Sequence, residues 1–440
     1  MNSRTITSER PLAQDLPGRI RELDTDADLD ALLERIGDAH VVLLGEASHG
    51  TSEFYTWRAR ITRRLIEEKG FNFIAVEGDW PDCERVNHFI HGFDDPHASA
   101  RDALHAFDRW PTWMWANEEV VELADWLRRY NDRRDPGERA GFYGLDVYSL
   151  WESMRAVMQY LERVDPAQAA RARAAYGCFD PYAEDVQEYA MATALVPTTC
   201  EDEAVQMLTA LRKNARAYRE DGMAAFFSAE QNALIARNAE LYYRTMVRGG
   251  PASWNVRDIH MVETLRRLRD HYGPSSRAVV WEHNTHIGDA RATDMAGAGM
   301  VNVGQLARQE WGADDVVAVG FGTYSGSVIA ATEWGAPFRR MEVPPAHTGS
   351  WESLLHVVCG RDCLLLSDDL ADLPSAYNRR GHRAIGVVYH PEREHYGNYV
   401  PTVLPERYDA FIFLDMTTAV TPLHVDARFS EVPDTYPSGQ

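Results

Sequence analysis

The feature that most constrains this chain is a short apolar run that stops at a glycine, in the segment VVLLGEASHG at residues 41–50. Four apolar residues in succession are typical of a strand that is buried on both faces of a sheet. Glu46 and His49 follow the run, and a helical pattern begins at about Thr51. The segment therefore predicts a strand, a turn and a helix, with a carboxylate and an imidazole in the turn. In open α/β sheets, ligands bind at this edge, beyond the carboxyl ends of the strands.

The same pattern of an apolar run followed by a helix recurs along the chain. Strands are predicted at residues 40–45, 71–77, 141–147, 277–283 and 316–322, with shorter candidates at 327–331, 341–343, 363–367, 384–389 and 410–414. Helical patterns separate the first four runs. Strands that alternate with helices indicate the α/β class, with a mainly parallel central sheet flanked by helices.

Residues 165–248 interrupt this alternation. They show no strand pattern and are rich in Ala, Glu, Arg and Tyr, so they predict two or three long helices. We interpret them as a helical insertion, or lid, that covers the sheet edge and lines the pocket. Residues 1–25 are polar and are expected to form an extended arm. Because no repeat or linker composition divides residues 1–440, we expect a single domain that contains the insertion.

Charge and cysteine content limit the partners of the chain. It has 67 acidic and 45 basic residues, a net charge of −22, which argues against nucleic acid because phosphate binding requires a basic patch. No apolar run is long enough to span a membrane, and the N-terminus lacks the apolar segment of a signal peptide. The five cysteines, of which only Cys359 and Cys363 are close in sequence, predict reduced thiols in a cytoplasmic protein. The expected partner is a small molecule, and the oligomeric state stays open.

Ionisable side chains end four of the predicted strands. In chain order they are Glu46 and His49, Glu77 and Asp79, Asp146, and His283 with His286. Because the carboxyl ends of parallel strands meet at one edge of a sheet, we expect these side chains to form one site. The alternative for any single carboxylate is that it caps the next helix, which suits Asp79 before Pro81.

Two kinds of chemistry suit two glutamates and two histidines at one sheet edge. In the first, one imidazole removes a proton from water, a carboxylate fixes its tautomer, and the second histidine or an arginine stabilises the oxyanion or protonates the leaving group. In the second, a divalent ion activates the water, held by Glu46, His49, Glu77 and His286. The sequence has no HEXXH spacing, no G-x-S-x-G motif around Ser48 and no phosphate-binding loop. The residues alone leave both mechanisms open.

These residues stand in motifs that resemble the erythromycin esterase family. The motifs are GEASHGTSEFYTWRARITRRL at 45–65, FIAVEGDW at 73–80, GLD at 144–146, RDIHM at 257–261, WEHNTHI at 281–287 and TYSG at 323–326. The resemblance covers most of the chain and depends on the order and spacing of the Glu, His, Glu and His-x-x-His elements. It implies an α/β sheet with a helical insertion and an esterase-type hydrolase that uses activated water without a covalent intermediate.

The resemblance also implies roles for individual residues. His49 matches the family's general base, Glu46 and Glu77 match its partner carboxylates, and His283 and His286 match its second pair of histidines. The implied substrate is a small ester or a macrolide-like lactone, and no cofactor is expected. Two alternatives stay open: a hydrolase that uses a divalent metal ion on the same cluster, and a non-catalytic or biosynthetic accessory protein that retains the site.

Further polar residues of these motifs are candidates for substrate contacts. Arg58 and Glu53, on the first predicted helix, match family positions that face the cleft. Tyr324, in TYSG, is a third candidate. Asp146 and Asp258 are expected to orient neighbouring side chains.

Overall fold

The structure, a computed structural model, describes residues 12–93, 98–182, 185–195, 199–220 and 222–424. Its strands are β1 (Ile20–Glu22), β2 (Val41–Leu44), β3 (Phe73–Val76), β4 (Gly141–Gly144), β5 (Ala278–Trp281), β6 (Val316–Ala330), β7 (Arg339–Val343), β8 (Cys363–Leu366), β9 (Arg380–Arg383), β10 (Tyr399–Thr402) and β11 (Ala410–Thr417).

A nine-stranded sheet lies at the centre of the molecule. Its strand order is β1-β8-β11-β6-β2-β5-β3-β4, and β7 pairs with β6. The strands from β11 to β4 are all parallel, whereas β1, β7 and β8 pair in antiparallel fashion. The remaining two strands, β9 and β10, form a small separate hairpin sheet. The predicted α/β class with a mainly parallel sheet is confirmed.

Helices cover both faces of this sheet. The α-helices are α1 (Asp30–Ile36), α2 (Ser52–Lys69), α3 (Trp80–His91), α4 (Ala100–His105), α5 (Glu118–Asn131), α6 (Leu150–Val164), α7 (Pro166–Tyr176), α8 (Val186–Leu195), α9 (Glu201–Lys213), α10 (Ala215–Glu220), α11 (Met223–Met246), α12 (Ala252–Tyr272), α13 (Asn284–Ile287), α14 (Val303–Trp311), α15 (Trp351–Cys359), α16 (Glu394–Gly397) and α17 (Leu404–Arg407). Within the described ranges, none of them has the length and apolar character needed to cross a membrane.

The central strand β2 shows why the sheet is buried on both faces. Val42 and Leu44 pack into the core that contains α2, α3 and α5. Val41 and Leu43 point the opposite way, into the core that contains α12, α14 and α15. All four side chains are fully buried, because a parallel sheet with helices on both sides has no solvated face. The apolar run at 41–44 therefore ends where the sheet ends, and polar residues begin at its edge.

Three segments differ from the expected elements. Two predicted strands, 316–322 and 327–331, are one long strand, β6, which extends past its parallel neighbours to pair with β7. Residues 384–389 contribute only isolated bridges at Ile385 and Val388. The predicted polar arm contains β1, which forms an antiparallel sheet edge on β8.

The described part of residues 165–248 contains only helices and turns, from α7 to α11. These helices pack against α6 around a separate apolar core, which includes Tyr189, Phe226, Tyr242 and Tyr243. The aromatic residues of the insertion are therefore core residues.

The expectation of reduced thiols is wrong for one pair of cysteines. Cys178 and Cys200 form a disulfide, and their Cα atoms lie 5.9 Å apart. The helices of the insertion fold back on one another, which brings together two residues 22 positions apart in sequence. This pairing could not be predicted from the cysteine spacing, because it depends on the tertiary path of the insertion. Cys83, Cys359 and Cys363 are free.

Candidate active site

Four neighbouring strands bring polar side chains to one edge of the sheet. The carboxyl ends of β2, β5, β3 and β4 lie side by side in that order. The side chains that follow them are Glu46 and His49 after β2, His283 and His286 after β5, Glu77 after β3 and Asp146 after β4. All six residues are buried. The structure thus brings together the residues that the strand ends predict.

His49 is oriented by a carboxylate. Its Nδ1 lies 2.8 Å from Oε1 of Glu46, so the proton of the neutral ring is on Nδ1 and the lone pair is on Nε2. Burial lowers the pKa of His49, but the negative charge of Glu77 and the bond to Glu46 outweigh burial and raise it above its usual value. Because His49 also lines a cavity, this geometry suits a general base.

Arg58 holds Glu46 from the other side. Its Nη2 donates to Oε2 of Glu46, and its guanidinium lies 4.5 Å from the ring centroid of Tyr55 and 4.6 Å from that of Trp281. The side chain of Arg58 is fully buried and does not line the cavity. Arg58 therefore positions a carboxylate and lies outside the residues that face a substrate.

The other two residues expected to contact substrate also lie away from the cavity. Glu53 accepts hydrogen bonds from the backbone N of Thr418, at 2.7 Å, and from its hydroxyl. It ties α2 to the segment after β11. Tyr324 stacks on His356, with ring centroids 3.6 Å apart. Neither residue lines the cavity.

Arg257, on α12, joins two strand ends and was given no role by the sequence. Its Nη2 donates to Oε1 of Glu77 at 2.7 Å and to Oδ2 of Asp146 at 2.7 Å, and its Nε donates to Oδ1 of Asp146 at 2.9 Å. Burial alone raises the pKa of Glu77, but the nearby charges of His286, Arg257 and His49 hold it well below its usual range. Arg257 could have been recognised in the sequence as a charged residue among the buried positions of α12, between Trp254 and Met261.

His286 is fixed on both ring nitrogens. Its Nδ1 lies 3.0 Å from Oδ1 of Asp258, and its Nε2 lies 3.1 Å from Nη1 of Arg257 and 3.5 Å from Oε1 of Glu77. The ring stacks on Trp254, with centroids 4.5 Å apart. The ring is thus held between the Asp258 carboxylate at Nδ1 and the Arg257 and Glu77 side chains at Nε2. Asp258 orients His286, as the sequence suggested.

His283 differs from His49 in its protonation. Its Nδ1 accepts a hydrogen bond from the backbone N of Thr285 at 3.3 Å, so the proton of the neutral ring is on Nε2. That nitrogen is buried and has no hydrogen-bond partner in the described structure. Burial and the neighbouring His49, with ring centroids 5.0 Å apart, lower the pKa of His283 well below its usual value. His283 is thus a neutral hydrogen-bond donor beside His49.

Asn284, which follows β5, forms hydrogen bonds with the ends of the neighbouring strands. Its backbone N donates to the carbonyl of Glu46 at 2.9 Å, and its side chain bonds the backbone of Phe321 on β6, as donor at 2.6 Å and as acceptor at 3.2 Å. A Cβ at Gly45 would lie 2.1 Å from Oδ1 of Asn284. Gly45 is therefore required, because the loop that follows the neighbouring strand β5 approaches it too closely for a side chain.

A cavity of about 300 Å³ opens over these residues. His49, Glu77, Arg257, His283 and His286 form one side. Aromatic side chains also line the cavity: Phe107, Trp110, Trp115, Trp254 and Trp334. In the parts of residues 165–248 that the structure describes, no residue lines the cavity, contrary to the expected role of the insertion. The wall comes instead from the segment between α4 and α5 and from residues after β6.

The carboxylates of the possible metal site are already engaged. Glu46 accepts from Arg58, and Glu77 accepts from Arg257 and from the backbone N of His283 at 2.8 Å. Across the described ranges, no three His, Cys, Asp or Glu side chains are grouped as metal ligands. Buried guanidinium groups on both glutamates oppose a divalent cation at the same oxygens. These side chains suit a histidine that is oriented by a carboxylate better than they suit a metal ion.

Comparison with protein families gives one match over most of the chain. The model of the family described as erythromycin esterase matches residues 66–417. This range includes Glu77, Arg257, His283 and His286, and it begins after the turn that carries Glu46 and His49.

Two curated relatives are similar in sequence. A putative hydrolase, YbfO, from Bacillus subtilis (strain 168) is 23% identical over 425 residues, which cover 90% of this chain and 87% of that protein. An erythromycin esterase type II from Escherichia coli is 33% identical over 124 residues, which cover 28% of this chain and 27% of that protein.

Solved structures share the fold. A succinoglycan biosynthesis protein superposes with a TM-score of 0.78 at 20% identity, covering 94% of this chain and 99% of that one. A histidine-to-asparagine mutant of the erythromycin esterase EreC, in its open conformation, superposes with a TM-score of 0.68 at 17% identity, covering 93% of this chain and 99% of that one. At these identities the likeness shows the fold alone.

Proposed function

This chain belongs to the erythromycin esterase family of hydrolases, and from that premise we propose that it cleaves a small ester with water activated by His49. The observation that carries the proposal is the Glu46–His49 pair, with Nδ1 and Oε1 2.8 Å apart in a residue that lines the cavity. Nε2 of His49 is then the basic nitrogen. The position of His283 beside it, with an unpartnered buried Nε2, supports the same reaction.

The proposed first step is the attack of water on the ester carbonyl carbon. Nε2 of His49 takes the proton from the attacking water, and Glu46 stabilises the imidazolium that forms. Arg58 holds Glu46 in place through its bond to Oε2. The Nε2–H of neutral His283 donates to the oxyanion of the tetrahedral intermediate, and the buried guanidinium of Arg257 adds positive charge nearby.

In the second step, the tetrahedral intermediate collapses and the bond between the carbonyl carbon and the alcohol oxygen breaks. His49 returns its proton to the departing alkoxide, which leaves as the alcohol. No enzyme group is acylated in this sequence. Ser48, the residue next to His49, bonds the hydroxyl of Thr51 and does not line the cavity, which argues against a serine nucleophile.

The size of the cavity bears on the substrate. A volume of about 300 Å³ is at the lower end of small-molecule sites, which range from roughly 300 to 1,000 Å³. This volume favours a small ester over a macrocyclic lactone.

Hydrolysis of a panel of small aryl and alkyl esters, with a macrolide included, tests the proposal. We expect turnover of small esters that survives prolonged treatment with EDTA and is found in protein that metal analysis shows to be free of divalent ions. Activity that disappears with EDTA and returns with a divalent ion would instead establish the metal-dependent hydrolase. Binding without any turnover would establish the non-catalytic accessory protein.

A further inference from the structure

A second wall of the cavity carries charge that the hydrolytic steps do not use. Asp79 and Asp82, at the start of α3, line the cavity with Arg109, Trp110 and Trp115. We refer to these five residues as the acidic corner. Asp79 is the N-cap residue of α3, yet its side chain makes no capping hydrogen bond. The capping role that the sequence suggested for Asp79 does not account for it.

The negative charge of Asp79 is only partly compensated. Its side chain is 11% exposed, and its Oδ1 is buried without a hydrogen-bond partner in the described structure. Oδ2 lies 3.4 Å from Nη1 of Arg109, whose Nη2 lies 2.8 Å from Glu152. One guanidinium is thus shared by two carboxylates. Burial, with the like charges of Asp82 and Asp146, raises the pKa of Asp79 to about 8. The carboxyl group is therefore largely protonated near neutral pH, and a cation bound beside it would lower this pKa and favour the ionised form.

The carboxylates on both sides of Asp79 also outnumber their buried counter-charges. The side chain of Asp82 is 10% exposed, and its ion-pair partner Arg85 lies 3.3 Å away with 54% of its own side chain in solvent. On the other side, Arg257 is shared by Glu77 and Asp146. A cation in this part of the cavity would lower the electrostatic free energy of every one of these carboxylates.

The remaining surface of the corner is aromatic. Nε1 of Trp115 donates to the carbonyl of Glu77 at 2.9 Å, which holds its indole against the backbone of Gly78. Trp110 packs on Trp334, with ring centroids 4.8 Å apart. Aromatic faces beside carboxylates bind alkylammonium groups, whereas a metal ion needs several converging oxygen ligands. The described residues contain no such ligand group.

We propose that the substrate carries an alkylammonium group, which binds in the acidic corner between Asp79 and the aromatic rings. This inference rests on the proposed esterase function for the place of the ester group. His49 and the acidic corner border the same cavity, so the ligand that suits both is a small ester of an amino alcohol. The chemical class is a tertiary or quaternary ammonium ester.

Choline and 3,3-dimethylbutan-1-ol test the binding step without hydrolysis, because they have the same shape and differ in charge. Titration calorimetry on the full chain is expected to show that choline binds about tenfold tighter or more, the scale of a cation in a partly desolvated aromatic site. Equal affinity, or tighter binding of the neutral alcohol, would overturn the proposal.

Variants locate the site of this preference. Asp79→Asn should lower the affinity for choline by about tenfold, since it removes the carboxyl group that ionises when the cation binds, and Asp82→Asn provides a second variant. Asp132→Asn is the matched control, because it makes the same change of charge on an exposed aspartate of α5, with 54% of its side chain in solvent. A choline preference that survives in both corner variants would overturn the assignment.

Hydrolysis of acetylcholine and 3,3-dimethylbutyl acetate separates this proposal from the proposed function. A kcat/KM about tenfold or more higher for acetylcholine supports both. Equal hydrolysis of the two esters overturns the ammonium site and leaves the esterase function standing. Selective choline binding without hydrolysis of either ester supports the ammonium site and overturns the esterase function.

Discussion

His49 and His283 lie with ring centroids 5.0 Å apart, yet their surroundings shift their pKa values in opposite directions. His49 has a carboxylate on Nδ1 and a raised pKa. His283 has a backbone N–H on Nδ1 and a lowered pKa. At the scale of single residues, the charge of Glu77 and the bond to Glu46 raise the pKa of His49, whereas burial and the neighbouring His49 lower the pKa of His283.

The pH dependence of kcat/KM should report the pKa of His49. The neutral ring is the active form, so activity rises with pH through that pKa. Glu46→Gln removes one of the negative charges that raise the pKa, and the acid limb should therefore move to lower pH. Because Arg58 would be left without its carboxylate, the pair Glu46→Gln and Arg58→Met provides a second variant. An acid limb that stays in place, or moves to higher pH, in a folded variant would contradict this role.

At the scale of elements, one arginine connects α12 to the ends of β3 and β4. Arg257→Met leaves Glu77 and Asp146 buried without a counter-charge, and we expect the free energy of unfolding to fall by about 3–5 kcal/mol. Denaturant unfolding measures the change. Arg101→Met is the control: Arg101 pairs with Glu118 at the surface, where 54% of its side chain is exposed, and should cost at most about 1 kcal/mol. Equal losses in the two variants would show that the buried network does not stabilise the fold.

The disulfide acts on the helical insertion. Cys178→Ser combined with Cys200→Ser removes a cross-link that closes a loop of 22 residues, and we expect the unfolding free energy to fall by about 3 kcal/mol. Neither cysteine lines the cavity, so the loss should appear in unfolding and not in the KM of the folded enzyme. Cys359→Ser, at a free cysteine, is the control. Five alkylatable thiols in the unreduced wild-type protein would contradict the pairing.

At the scale of the whole molecule, one physical reason allowed the sequence to predict both the sheet and the edge at which these side chains meet. A parallel strand buried on both faces must be apolar, so Glu46, Glu77 and His283 could be recognised as residues beyond strand ends. Arg257 was not predicted because it lies on α12, which is far in sequence from the strand ends that it contacts. Glu53 and Tyr324 were placed at the cleft by resemblance, whereas their contacts are with Thr418 and His356. The aromatic wall was unpredictable because its segments meet only in the folded chain.

The proposed hydrolysis depends most on His49 as the base that activates water. The direct measurement is the kcat of His49→Ala for a small ester that the wild type hydrolyses, with circular dichroism to establish that the variant is folded. We predict that kcat falls by about a hundredfold or more, the usual contribution of a general base. Added imidazole, which fits the space left by the side chain, should restore part of the rate. A folded His49→Ala protein with the kcat of the wild type would contradict the role of His49 as the general base.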